Sequence, residues 1–322
     1  PGFDRKAFRI IGAPEADYAA IRAGGIGANP NYPAPENVNE FETNPDLKVM
    51  IGATAGKVIM AMNNGRAPFD NLLVRRAISH AIDRNAIIDA AMFGVGEPIG
   101  SHYSRQGRAY LDLTGRYPHD PDRARSLLAE AGYADGFDVT LRLPPRPYAR
   151  RSGEMIAAQL ASIGVRVEIE NIEWAQWLDQ VFVRREYDLT IVEHIEPMDF
   201  GIYARGDYYF GYSDPEYDAL ITAYEIETDE RSVDVWLRRI QSKIADDAVN
   251  VFLLQSAQLG IWKSNLGGLW VDTPIPANVA TFAYFDGGGS ASASADLRVD
   301  DDSIWMTSLA VAAVLVLSLI HI

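Results

Sequence analysis

The 322-residue sequence predicts an α/β protein with mixed sheets flanked by helices. Helix and strand periodicities alternate from Phe8 to about Tyr284, as expected where sheets are covered by helices. Hydrophobic residues make up 48% and charged residues 23%, which are globular proportions and exclude a largely disordered chain. No internal repeat or dominant low-complexity tract points to a fibrous class.

Taken in order, Phe8–Ile11 reads as a short strand and Asp17–Arg22 as a helix ended by Gly24-Gly25. Lys48–Gly52 and Lys57–Met62 read as two strands, the second closed by Asn63-Asn64-Gly65. The apolar stripe Val74, Ile78, Ile82, Ile87, Ile88 predicts one helix over Arg75–Met92. Asp122–Ala131 is a helix with Gly132 as its stop, and Phe137–Leu143 alternates at the strand period. Ser152–Ile163 is a helix, Val165–Ile169 a strand, Trp174–Phe182 a helix and Tyr187–Val192 a strand. Helices follow over Pro215–Ile226 and Ser232–Asp247, then strands over Val251–Leu254 and Leu259–Trp262.

With 29 Lys+Arg against 44 Asp+Glu, the net charge of −15 argues against a nucleic-acid binder or a coat for anionic membranes. The absence of cysteine excludes disulfide frameworks, thiolate metal sites and cysteine nucleophiles. Pro1 is not a start residue and no signal pattern follows it, so the chain reads as a fragment with any leader upstream. At the other end, residues 286–302 have linker composition and an acidic Asp300-Asp301-Asp302, and 303–322 form an apolar tail. The tail reads either as a membrane anchor or as a non-native end, its last six residues resembling translated adaptor sequence.

Catalytic signals are sparse. His80, His102, His119, His194 and His321 form no pair at metal-ligand spacing, and there is no nucleophile elbow or Walker loop. Gly94-Val95-Gly96 is a partial dinucleotide fingerprint that follows a helix rather than a strand. No metal or cofactor is expected. Two constellations stand beyond strand ends, where open α/β sheets bind ligands. Glu193, His194, Glu196 and Asp199 form an electronegative set suited to an ammonium. Arg146, Arg150 and Arg151 stand at a helix N-terminus and suit a carboxylate. A zwitterion such as a short peptide carries both charges. Tyr203, Tyr208, Tyr209, Phe210 and Tyr212 form either apolar walls for that ligand or ordinary packing.

The segment Ala67-Pro68-Phe69-Asp70-Asn71-Leu72-Leu73-Val74-Arg75-Arg76-Ala77-Ile78-Ser79-His80-Ala81-Ile82-Asp83-Arg84 strongly resembles the signature of the family 5 extracellular solute-binding proteins of ABC importers. Gly94–Pro98, Tyr117–Ala124, Leu127–Tyr133, Ala158–Val165 and Tyr212–Leu220 match in the same order. The resemblance implies a two-lobed periplasmic-binding-protein fold, class II and clam-like, with the N-terminal part missing. Residues 1–64 would belong to the first lobe, 65–252 to the second, and 253–285 would return to the first. The crossings near 63–66 and 252–255 would be hinges. In the dipeptide-binding branch an acidic residue holds the peptide amino terminus and an arginine its carboxylate. By position these would be Glu193 and Arg146, with Arg150 and the tyrosines Tyr203 and Tyr208 nearby. The implied function is a periplasmic or extracellular receptor, anchored through the tail if the tail is native. It would bind short peptides as a monomer and deliver them to a membrane permease without chemistry. A metal-chelate receptor with His194 as ligand, a sugar or opine receptor, a carboxylate hydrolase and a membrane-anchored sensor are the alternatives.

Overall fold

The computed structural model describes residues 7, 11, 14–269, 271–272 and 282–286. The element order is α1 (Pro14–Arg22), β1 (Ala28–Asn29), α2 (Val38–Glu42), β2 (Leu47–Met62), α3 (Leu72–Ala81), α4 (Arg84–Ala91) and β3 (Glu97–Pro98). There follow α5 (Pro121–Glu130), β4 (Phe137–Leu143), α6 (Pro147–Ala161), β5 (Val165–Asn171), α7 (Trp174–Trp177) and β6 (Leu189–His194). The chain then forms α8 (Pro215–Ile226), α9 (Glu230–Asp246), β7 (Asn250–Lys263), β8 (Leu266–Gly267) and β9 (Tyr284–Phe285). Most of the strand Phe8–Ile11, the linker and the apolar tail lie outside the described residues. Among the described residues no helix is long and apolar enough to cross a membrane.

A seven-stranded mixed sheet organises the molecule in the order β1-β7-β2-β6-β4-β5, with β3 also on β7. β4 runs parallel to β5 and β6, while β2 pairs antiparallel with β6 and β7. Strand parity assigns the two faces. On β2, Val58, Met60 and Met62 join Ile78, Leu141, Ile156, Leu189, Ile191 and Leu253 under helices α3 to α6. Ile59 and Ala61 face the other way, into an aromatic layer with Tyr103, Trp177, Tyr203, Tyr209, Phe210 and Tyr217. A third cluster gathers Ile21, Tyr32, Phe41, Leu259 and Ile261 around the far ends of β2 and β7.

Four local expectations change. The helix expected over Arg75–Met92 is two helices, because Ile82 and Asp83 are extended and Asp83 caps α4 by accepting from Ala86 N at 3.0 Å. The paired short strands merge into single strands, β2 of 16 residues and β7 of 14, with register shifts in their ladder between Ala53 and Lys57 and between Val58 and Ile59. α6 starts at Pro147 instead of Ser152, with proline in its first turn, which draws Arg150 and Arg151 into the helix. β6 runs on to His194, so Glu193 and His194 are strand residues rather than loop residues.

The arginines of the Arg75-Arg76 signature are structural. Arg75 is buried, and its guanidinium donates to the carbonyls of Phe69 at 2.8 Å and Asp247 at 2.9 Å; Arg76 donates to Asp246 O at 2.9 Å. Together they satisfy the orphan carbonyls at the C-terminus of α9. His80 turns its Nδ1 to the Pro118 carbonyl at 2.9 Å, which makes it a packing residue.

Candidate functional site

The site is built at the end of β6, and parity divides it. Glu193 falls on the same side as Leu189 and Ile191; His194 falls with Thr190 and Val192. The seven-residue acidic constellation is therefore two environments on opposite faces of the sheet.

On the first face the Glu193 N–H donates to the Tyr148 hydroxyl at 3.0 Å, and the Glu193 carboxylate accepts from the Ser256 hydroxyl. Ser256 is held in turn by Thr54, whose hydroxyl donates to Ser256 O at 2.7 Å. Gly56 makes room for this: a Cβ there would sit 2.2 Å from both Glu193 Oε1 and Ser256 Oγ. Burial raises the Glu193 carboxyl above its ordinary pKa, and the Ser256 bond, Lys57, Arg146 and His194 offset that only in part. Arg146 stands exposed at the N-cap of α6, its guanidinium 5.6 Å from the Trp174 ring centroid. Arg150 is exposed one helical turn further along, whereas Arg151 is paired with Glu36 at 3.0 Å.

The second face holds a buried network. Asn250 Nδ2 donates to the Tyr203 hydroxyl at 3.1 Å, and that hydroxyl lies 3.0 Å from His102 Nδ1. Asp199 Oδ2, which can only accept when ionised, lies 3.0 Å from His102 Nε2 and accepts its N–H, so Nδ1 accepts from the Tyr203 hydroxyl. His194 places Nδ1 3.5 Å from the same oxygen, and its Nε2 lies 2.9 Å from the Tyr209 hydroxyl. Lys57 Nζ is 3.3 Å from Asp199 Oδ1 and also donates to the Ala55 and Glu196 carbonyls. Burial opposes the charge on Asp199, but His102 and Lys57 outweigh it and hold the carboxyl well below the usual carboxylate range. Burial lowers His102 to about 4.

Each candidate residue can now be located. Glu193 and Arg146 share the first face. Glu196 is exposed, and its backbone carbonyl rather than its side chain enters the network. Asp199 is turned inward on Lys57, so it does not offer its carboxylate to a ligand in this conformation. Tyr203 is only 1% exposed and lies behind His102, as packing rather than wall. Tyr208 is half-buried on the aromatic face, with its ring 5.5 Å from Phe182. Sequence spacing missed two participants. His102 meets His194 only through the fold, and together with Asp199 it forms a group whose ligand-type atoms all lie within 4.8 Å of one another. Lys57 gave one available signal: a charged residue at an inward position of an otherwise apolar strand.

The family model for bacterial extracellular solute-binding proteins, family 5 Middle, matches residues 1–219. Heme-binding protein A of Haemophilus influenzae is 32% identical over 179 residues, covering 54% of this chain and 32% of that protein. The dipeptide-binding protein of Escherichia coli is 31% identical over 183 residues, covering 55% and 34%. The chain thus spans about a third of the length of these relatives. Among solved structures, a dipeptide binding protein from Pseudoalteromonas sp. SM9913 in complex with Met-Leu superposes with a TM-score of 0.73 at 23% identity, over 85% of this chain and 57% of that one. HbpA2 from Haemophilus parasuis superposes with a TM-score of 0.76 at 20% identity, over 87% and 57%. The fold is that of these periplasmic binding proteins, and the chain belongs to the family 5 bacterial extracellular solute-binding proteins.

Proposed function

We propose that this chain is part of the solute receptor of an ABC importer, and that it binds short peptides outside the cytoplasmic membrane for delivery to a permease. Glu193 takes the ligand's ammonium and Arg146 its carboxylate, with Trp174 as a wall and Arg150 near the carboxylate end. The receptor works as a monomer and does no chemistry on its cargo. The observation that carries this reading is the placement of Glu193. A half-buried carboxylate, raised in pKa and bonded only to neutral partners, stands at a strand end beside an exposed arginine. An ammonium would supply the charge it lacks. The peptide ligands named for structural neighbours agree with it, as do the peptide-binding names of several relatives.

The two-lobe division with crossings at 63–66 and 252–255 belongs to the same proposal, with one refinement. Asn63 and Asn64 are buried, and their side-chain amides are tied to the carbonyls of Tyr187 at 3.0 Å and Val249 at 2.9 Å. The β2–β7 ladder is also irregular at the Ala53–Lys57 register shift of β2. Bending on ligand closure belongs there.

The test is thermal shift of the whole gene product against di- and tripeptides, free amino acids, sugars and nickel chelates. A peptide at 100 times its dissociation constant adds about 2.7 kcal/mol. Stabilisation by zwitterionic peptides that disappears in Glu193→Lys supports the reading. Stabilisation only by sugars or metal chelates, or unchanged peptide binding in Glu193→Lys, rejects it.

A further inference from the structure

Lys57 is fully buried, and strand parity sends it into the aromatic face with Ile59 and Ala61. A buried ammonium must be paired and hydrogen-bonded. Apart from Ala55 O on its own strand, the partners of Lys57 Nζ come from one short segment: Glu196 O and Asp199 Oδ1. That segment follows directly on Glu193 and leads to Tyr203 and Tyr208.

The same carboxylate is the centre of a constellation with the look of a metal site: His102 Nε2, His194 Nδ1 and Asp199 Oδ2. Its geometry is compatible with a divalent ion, but its electrostatics are not. The ionised Asp199 carboxylate can only accept, so it holds the proton of neutral His102 on Nε2, the atom a metal would need bare. Asp199 already carries a cation on its other oxygen. A divalent ion would set three positive charges around one buried carboxylate.

We infer that Lys57 is the built-in cation of this cluster. It acts as a positioning residue that pins segment 195–204 to β2, and it withdraws Asp199 from the ligand so that Glu193 alone presents a carboxylate on the binding face. The positioning role towards ligand rests on the function proposed above; the pinning does not. Its consequence for specificity is a site that accepts one ammonium, not two.

Hydrogen exchange tests the pinning without any ligand. In the full-length protein, Lys57→Met keeps the apolar stem and deletes the charge. The amides of 195–204 lose at least tenfold in protection, while those of α3 and α5 keep theirs. In Lys57→Met/Asp199→Asn no buried charge is left unpaired, and most of the protection returns. If Lys57→Met does not fold, recovery of folding in the double variant supports the pairing; loss of folding in both overturns it.

A pH series separates charge pairing from space filling. The groups facing Asp199 are Lys57, His102, His194, Tyr203, Tyr208 and Tyr217, and Glu193 acts on Lys57 only through charge, from the other face of the sheet. Without Lys57 the Asp199 carboxyl titrates upward, so the single variant gains stability on acidification relative to wild type. A parallel pH profile overturns the inference. Zinc(II) titrated alone gives no binding dependent on His194; one-to-one binding that His194→Ala abolishes also overturns it. If no peptide binds wild type, the proposed function fails while the exchange and pH results still decide this one.

Discussion

Glu193 is held between two opposing influences. Burial disfavours its charge, and its nearest partner, Ser256, is neutral. A folded-state pKa raised above 4.5 means that its contribution to stability is present below that value and lost as pH rises through the raised pKa. Ligand ammonium needs the ionised form, so affinity for zwitterionic peptides falls on acidification through the same range, and calorimetry from pH 7 to pH 4 measures it. Gly56→Ala offers a sharper probe. Its methyl group would meet Glu193 Oε1 and Ser256 Oγ at 2.2 Å, so the carboxylate must move. Affinity is expected to drop by about tenfold or more, ~1.4 kcal/mol, while the melting temperature changes little. The positions of Glu193 and Arg146, one at a strand end and one at a helix N-terminus, were legible in the sequence because they are set by local periodicity and proline. The inward turn of Asp199 was not, because nothing local to Glu193–Asp199 announces a lysine arriving from β2.

Among the elements, the junction between α3 and α4 is the most instructive. The apolar stripe runs through Ile82 without a break, and so it predicts one helix. Asp83 nevertheless stops it: its carboxylate accepts from Ala86 N, and its own N–H donates to Gln159 Oε1 at 3.1 Å. Periodicity records which face is buried and is blind to a change of helix axis that keeps the face buried. Asp83→Ala is expected to lower stability by about 1 kcal/mol, read from chemical denaturation, while Asp83→Asn or Asp83→Ser retains most of it. Pro147 carried a readable signal for the true start of α6, since proline suits a first turn. The merging of the short strands was unreadable for the opposite reason. Ala53, Thr54, Ala55 and Gly56 are weak strand residues on their own; Ala53 pairs with Ala257 across the ladder, and Thr54 is tied to Ser256 and Gln255 by side-chain hydrogen bonds.

At the level of the whole molecule, one sheet carries two cores of different chemistry, aliphatic on one face and aromatic on the other. The aromatic side buries His102, and burial holds it at about 4, against 6.5 when unfolded. The unfolded chain therefore takes up more protons between those values, and stability falls as pH drops from about 6.5 towards 4. His102→Gln, which keeps a donor for Asp199, is expected to flatten that slope in pH-dependent melting. The alternation of elements and the ordered motifs made this architecture legible in advance. The division into two chemical faces was recoverable too, from the odd and even positions of β2 and β6, once the strand limits were known.

Those odd and even positions carry one more consequence. Glu193 and His194 are neighbours in the chain, yet they serve opposite faces, so their roles depend on counting. Removal of a single residue from β6 upstream of Glu193, with the rest of the pairing kept, would turn the carboxylate towards Lys57 and the imidazole towards Tyr148. Every residue type would be retained and the site would be inverted. Substitution in this stretch is therefore graded in its effects, whereas insertion or deletion is all-or-none. Chains of this kind can drift in composition along β6 far more readily than in length.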